Sequence, residues 1–310
     1  MIALFASKGM HDLETHIRRL SVNDYEALQQ LQSGIADDYV LRIFRESVRR
    51  EATYGVFSAG RLLAMAAYSL YAGRYAVLGR VRTDARYRGH GLATKLLSLI
   101  CGEIERQETA DWIGLSTEWS NGAMRHVAEK LKLDCLSVYE SCVLAFERLS
   151  EWRTQLPFPE DSWEPVEDVS EKRERLISAV QTMDRPLTVF PYACYYPLPF
   201  EADLFSADYV ANGRMYESGG QFFLLMNDTK GKDYLHLKIF DTSVIDDPGL
   251  WHTAAREAEK AGRDLWVDLP PDAVASRDWL RSFHCTRWTC YGRKTLPSVD
   301  RSHRVYYNGK

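Results

Sequence analysis

The 310 residues predict an α/β chain of the α+β kind: a mixed, mostly antiparallel central sheet flanked by helices. Three observations carry that expectation. Runs with strand patterning alternate with runs of helical spacing through the first half. A glycine-bearing loop joins one strand directly to a helix. From Gly220 onward a similar order of elements returns, so the architecture is expected to be duplicated.

Composition narrows the field. At 45% hydrophobic and 26% charged residues the chain is an ordinary globular one, which excludes disorder and collagen-like repeats. Its length suits about two domains. We place them at 1–150 and 166–310, joined by a linker, 151–165, that carries Pro157, Pro159 and Pro165. Lys plus Arg number 39 against 43 for Asp plus Glu, a net charge of -4, so no pull toward nucleic acid or anionic membrane is expected. No apolar run approaches about 18 residues, and Met1–Lys8 lacks the pattern of a secretory signal. The six cysteines contain no C-x-x-C pair and read as reduced, buried thiols of a cytoplasmic protein. His284-Cys285 with Cys290 is too sparse for zinc, so no metal is expected.

Element by element, Ile17–Leu20 reads as a strand and Ser21–Asp24 as capping residues before a helix from Tyr25 to Leu31. Asp37-Asp38 open a second helix. Thr53–Phe57 and Leu62–Tyr71 form a hairpin, and Tyr75–Thr83 is the next strand. After Asp84-Ala85-Arg86-Tyr87-Arg88-Gly89-His90-Gly91 a helix begins at Leu92, with 92, 96, 99, 100 and 104 on one stripe. Trp112–Thr117 is a strand, Asn121 precedes a helix through Leu131, and Val138–Phe146 closes the half as its last strand.

The strand–glycine loop–helix unit has a definite physical meaning. Glycine permits positive φ and close approach of a ligand to the main chain. The first turn of the helix that follows carries unpaired N–H groups and the positive end of its dipole. Such a terminus suits phosphate or pyrophosphate, and Arg86 and Arg88 add charge-assisted donors.

Arg86-x-x-Gly89-x-Gly91 with Leu92-Ala93-x-x-Leu96-Leu97 resembles the acyl-CoA pyrophosphate loop of the GCN5-related N-acetyltransferases (GNAT). Leu78–Thr83 before the loop is similar to that family's splayed fourth strand. Leu115–Asn121 followed by Ala128–Leu133 is similar to its fifth strand, asparagine and closing helix. With the opening strand and helix, the resemblance covers about residues 15–148 and implies a GNAT-like fold. It further implies that main-chain groups of Val81, Arg82 and Thr83 bond the pantetheine arm and thioester of acetyl-CoA. The amides from Arg88 through Gly89, His90, Gly91, Leu92 and Ala93 to Thr94 would hold the pyrophosphate, and Asn121 would meet the pantetheine from the other side. Two departures stand out: Ala128 occupies the place of the family's tyrosine acid, and Ala76-Val77-Leu78 offers no carboxylate as base.

Acyl transfer to an amine needs positioning, a polarised carbonyl and a neutral nitrogen. An alkyl amine with a pKa near ~10.4 costs roughly 4–5 kcal/mol to deprotonate at pH 7. Glu118, at the end of the fifth strand, is the candidate base or amine anchor, against the alternative of a solvated loop carboxylate. Tyr139 is the candidate acid, against the alternative of a packed aromatic. His90 is expected at the loop surface rather than in catalysis, and His126 on its helix surface.

In the second half, Glu171–Met183 reads as helical, and Phe190–Pro197 as irregular aromatic chain lining a cleft, an interface or a packed loop. Gln221–Asn227 and Tyr234–Phe240 form a hairpin, Asp247-Pro248 start a helix, Leu265–Leu269 is a strand, Arg277–Ser282 helical and Thr289–Leu296 a last strand. Asp241–Ile245 stands where the glycine loop stood, without glycine or arginine, so no second phosphate cradle is expected. Ser302–Lys310 reads as a mobile tail or an edge contact. The resulting expectation is a tandem arrangement with one working half. It would be an N-acetyltransferase acting directly from acetyl-CoA on a small primary amine, as monomer or homodimer. The alternatives are an acyl-CoA-binding sensor or scaffold that has lost catalysis, and a protein-lysine acetyltransferase.

Overall fold

The computed structural model describes residues 14–157, 163–182, 198–229 and 232–295. The readings of the chain start, of Phe190–Pro197 with Cys194, of Pro159 and of the tail lie outside them. The chain divides into two compact units, Met1–Asp111 with Thr295–Lys310, and Trp112–Lys294.

The first unit is an antiparallel meander of β1 (His16–Arg19), β2 (Ala52–Ser58), β3 (Arg61–Tyr71) and β4 (Tyr75–Thr83). Between β1 and β2, α1 (Tyr25–Gln29) and α2 (Tyr39–Arg50) pack on the sheet through Leu28, Val40, Phe44, Phe57, Leu62 and Met65. Ser21 and Asp24, within the expected capping residues, form a capping box. Asp38 caps α2 by accepting from the Val40 N–H. After β4 comes α3 (Leu92–Arg106), which buries Leu92, Leu96, Leu97, Ile100, Cys101 and Ile104. The stripe thus turns on 97 and 101; Leu99 stays exposed. β4 carries a bulge: the register passes from Met65↔Arg82 to Ala67↔Gly79, with Arg80 at φ +57°. A bulge bends its strand, so residues 81–83 leave the line of the strand's first half.

The second unit contains β5 (Trp112–Glu118), α4 (Gly122–Lys130), β6 (Asp134–Leu144), α5 (Leu149–Thr154), β7 (Glu164–Val166) and α6 (Val169–Thr182). It continues with α7 (Ala207–Asn212), β8 (Arg214–Ser218), β9 (Gln221–Thr229), β10 (Asp233–Ile239), α8 (Pro248–Ala261), β11 (Asp264–Leu269), α9 (Pro271–Ala275) and β12 (His284–Lys294). Within it the strand order is β5-β12-β6-β11-β10-β9-β8-β7, antiparallel except for β10 and β11.

That order revises the expected role of the strand around 138–146. β6 does not pair with β5. It pairs with β11 (Cys142↔Val267), while β12, the last strand of the second half, lies between β5 and β6 (Thr289↔Thr117, Cys285↔Cys142). The halves therefore exchange their final strands. The compact units consequently part at Asp111/Trp112 and not in 151–165.

Two further expectations are corrected. Residues 151–165 are not a bare linker. Leu149, Trp152, Leu156 and Trp163 belong to the core around α8, and the Trp152 indole donates to the Trp279 carbonyl at 3.0 Å. Prolines stop helices but do not prevent burial of the tryptophans beside them. The cysteines are not all reduced: Cys142 and Cys285 form a disulfide across β6 and β12, with Cα atoms 4.1 Å apart. They are 143 residues apart in sequence, and only the strand exchange makes them neighbours. Cys101 and Cys290 are buried and lie outside this disulfide, as does the exposed Cys135. Among the described residues no helix is long and apolar enough to cross a membrane, and no group of His, Cys, Asp and Glu could hold a metal ion.

Candidate functional site

In the first unit the predicted loop has the form the glycine spacing implies. Asp84, Ala85–Tyr87 in a single 3-10 turn, and Gly89 and Gly91 at φ +79° and +75° carry the chain from β4 into α3. Gly91 is the residue before the helix, and no side chain caps α3. Among the described residues, nothing beyond the adjoining chain lies within 4 Å of the place a Cβ would occupy on Gly89 or Gly91. The first-turn amides of Leu92, Ala93 and Thr94 thus stand at an open, electropositive helix start. His90 is exposed, its Nδ1 2.9 Å from the Arg88 carbonyl, in keeping with a surface role.

The arginines of the motif are engaged otherwise than the sequence suggests. Arg86 holds Asp84 through Nε at 2.8 Å and Nη2 at 2.5 Å, and Asp84 is fully buried. These bonds pull the Asp84 carboxyl down to about 2 against the opposing effect of burial, with help from the Arg86 and Gln32 N–H groups. Arg88 reaches the Ser33 carbonyl. Arg82 grips Asp38 with Nε and Nη2. All three guanidinium groups brace the loop and the end of β4 through these bonds. Val81, Arg82 and Thr83 are half-buried at that strand end.

In the second unit, Glu118 is exposed at the end of β5, and Ser120 Oγ donates to it at 3.4 Å. Asn121 caps α4: its Oδ1 accepts from the Met124 N–H at 3.1 Å, which leaves its NH₂ group as the outward donor. Tyr139, on β6, is wholly buried, with Cys290 and Trp288 of β12 against it and its hydroxyl 3.4 Å from Ser116 Oγ. This enclosure supports the alternative of a packed aromatic for Tyr139. Burial pushes the neighbouring Cys290 thiol up.

The corresponding place in the second half is closed. Asp241 caps a 3-10 turn as Asp84 does, but α8 then starts on Asp247-Pro248. Asp247 accepts from the Gly249 N–H at 2.7 Å and from the Trp163 indole at 2.9 Å. The protein's own carboxylate occupies that helix start.

Sequence reading missed what anchors the loop. Asp84 also accepts from the Gln32 N–H at 3.4 Å, and the Ala85 N–H donates to the Gln32 carbonyl at 2.8 Å. The available signal was an aspartate two residues before an arginine at the end of a strand, a capping pattern that also places a carboxylate beside a guanidinium. The buried charges on β9–β11 were missed as well: His236 stands between Asp228 and Asp268, 3.3 Å from each, beside Lys238.

Comparison with known proteins agrees with this geometry. The sequence model of the Acetyltransferase (GNAT) family matches residues 16–132. A GCN5-related N-acetyltransferase from Sphaerobacter thermophilus matches in structure at TM-score 0.57 and 14% identity, over 92% of this chain and 97% of that one. A tandem GNAT protein from the clavulanic acid biosynthesis pathway matches at TM-score 0.53 and 13% identity, over 92% and 100%. No functionally curated protein matches the chain. Residues 16–132 are therefore a domain of the GNAT acetyltransferase family. The remainder continues in the fold of GNAT structures, including a tandem one.

Proposed function

We propose that the protein is an acetyl-CoA-dependent N-acetyltransferase acting on a small primary amine. The observation that carries this reading is the difference between helix starts. α4 and α8 are capped by Asn121 and Asp247, whereas α3 opens on two positive-φ glycines with no cap and free space above them. An uncapped, glycine-led helix start of this kind suits a diphosphate. In this reading the amides from Arg88 to Thr94 hold the diphosphate, and the main chain of residues 81–83 holds the arm that ends in the thioester. What acetyl-CoA supplies is an activated acyl group: the amine nitrogen bonds the carbonyl carbon, the carbon–sulfur bond breaks, and CoA departs as thiol with one proton. Glu118 is the proposed acceptor of the ammonium proton, and Asn121 the proposed second contact to the arm.

The reading is tested by calorimetry with coenzyme A and by thiol release from acetyl-CoA across an amine panel. Wild type should bind, and Gly89→Trp should not; retained affinity in that variant would contradict the loop assignment. Glu118→Gln should keep coenzyme A affinity while turnover falls about 100-fold or more. Unchanged turnover removes Glu118. The sensor reading has its own support in the enclosure of Tyr139 and the absence of a carboxylate at Ala76-Val77-Leu78. Tight coenzyme A binding with silence across the panel would favour it.

A further inference from the structure

The first unit holds a cavity of about 390 Å³ on the stretch from α1 to the start of α2. Leu28, Leu31, Ile35 and Leu41 give it apolar walls, and Ile35 is 48% exposed. Its wall is bonded to the segment proposed to hold the acyl donor. Asp38 binds Arg82, the Gln32 N–H reaches Asp84, the Ala85 N–H reaches the Gln32 carbonyl, and Arg88 reaches the Ser33 carbonyl. A molecule seated here lies against residues that touch 82, 84, 85 and 88.

The charges of this cavity are already matched. The acids that line it are Asp37 and Asp38. Asp37 is paired with Arg42 at 2.6 Å, and Asp38 with Arg82 at 2.6 Å. A second ammonium there would have to compete with Arg42 and Arg82 for these two carboxylates. An apolar body would exchange water for Leu28, Leu31, Ile35 and Leu41 instead.

We propose that this cavity seats the acceptor, and that the acceptor is a monoamine with an apolar body rather than a polyamine or amino sugar. The proposal rests on the N-acetyltransferase reading and adds the substrate class to it.

n-Hexylamine and hexane-1,6-diamine match in length and differ in the second ammonium. The monoamine should show kcat/KM higher by about tenfold or more. Ile35→Asp places a carboxylate at an exposed position of the wall, where it should not disturb folding. It should narrow or reverse the ratio while coenzyme A affinity stays constant. Equal or better use of the diamine by wild type would overturn the proposal and leave the acetyltransferase reading standing. If neither amine is acetylated, calorimetric titration of n-hexylamine into the coenzyme A complex decides. Binding that Ile35→Asp weakens supports the cavity assignment though the catalytic reading fails. Absence of binding overturns the assignment.

Discussion

Asp38 meets Arg82 through two parallel hydrogen bonds, 2.6 Å from Nε and 2.7 Å from Nη2, with 8% and 12% of the two side chains exposed. The same carboxylate caps α2 through the Val40 N–H and accepts from the Ser33 hydroxyl. Burial alone would raise its pKa; the bonds from Arg82, Val40 and Ser33 more than offset that and hold it below the usual range. One residue thus fixes a helix start, a cavity wall and the end of the bulged strand. Asp38→Asn should destabilise the fold by about 3 kcal/mol, because the guanidinium stays nearly buried without its counter-charge. Asp38→Asn with Arg82→Gln should recover part of that loss. Urea unfolding measures both, and a double variant less stable than the single one would show that the pairing is not what stabilises this corner.

Asp84 gives the loop a pH dependence of known sign. Its folded pKa, about 2, lies below the ordinary carboxylate value, so its contribution is complete above that ordinary value, near 4. It is lost as pH falls from about 4 to about 2. The shift corresponds to about 2 kcal/mol, and screening at the exposed guanidinium of Arg86 leaves roughly 1 kcal/mol. Thermal unfolding between pH 5 and pH 2 should therefore fall less steeply for Asp84→Asn than for wild type. Parallel curves would mean that Asp84 is not ionised against Arg86 in the folded state.

Local chemistry in the sequence specified most elements of both halves. The β4 bounds and the glycine loop could be read from Tyr75–Thr83 and Gly89-x-Gly91 because turns, caps and strand alternation are local. Which strand pairs with which is not local. Nothing in Val138–Phe146 distinguishes pairing with β5 from pairing with β11, and the disulfide partner of Cys142 followed from that choice. Tyr139 illustrates the same limit: its place in the chain suggested an acid, but its burial depends on β12, some 150 residues away. The three-residue β7 contains Pro165, and β8 has only five residues, so neither is long enough to show a period.

The Cys142–Cys285 bond closes a long loop between the exchanged strands. In the chain-entropy picture a closure of this length restricts the unfolded chain by at most about 5 kcal/mol. Cys142→Ser with Cys285→Ser, or reduction, should lower the unfolding midpoint measurably. A thiol titration of denatured, unreduced protein should fall short of the six cysteines by at least two. Six reactive thiols and an unchanged midpoint would show that the bond does not form.

The two related helix starts predict opposite results for one kind of substitution. At Gly91 an added Cβ meets no neighbour, but the residue stands at φ +75°, so Gly91→Ala costs about 1 kcal/mol of backbone strain and places a methyl group in the open space. Coenzyme A affinity should fall by more than stability does, because the amides and the space above them are what the diphosphate needs. At α8, Asp247→Ala removes a cap and should cost about 1 kcal/mol. It should not create a second coenzyme A site, because Pro248 supplies no N–H and no positive-φ glycine precedes it. Binding stoichiometry by calorimetry checks both variants together: one site weakened in Gly91→Ala, one site unchanged in Asp247→Ala. A stoichiometry of two in Asp247→Ala would mean that the aspartate had been masking a working cradle, and that the second half differs from the first only by its cap.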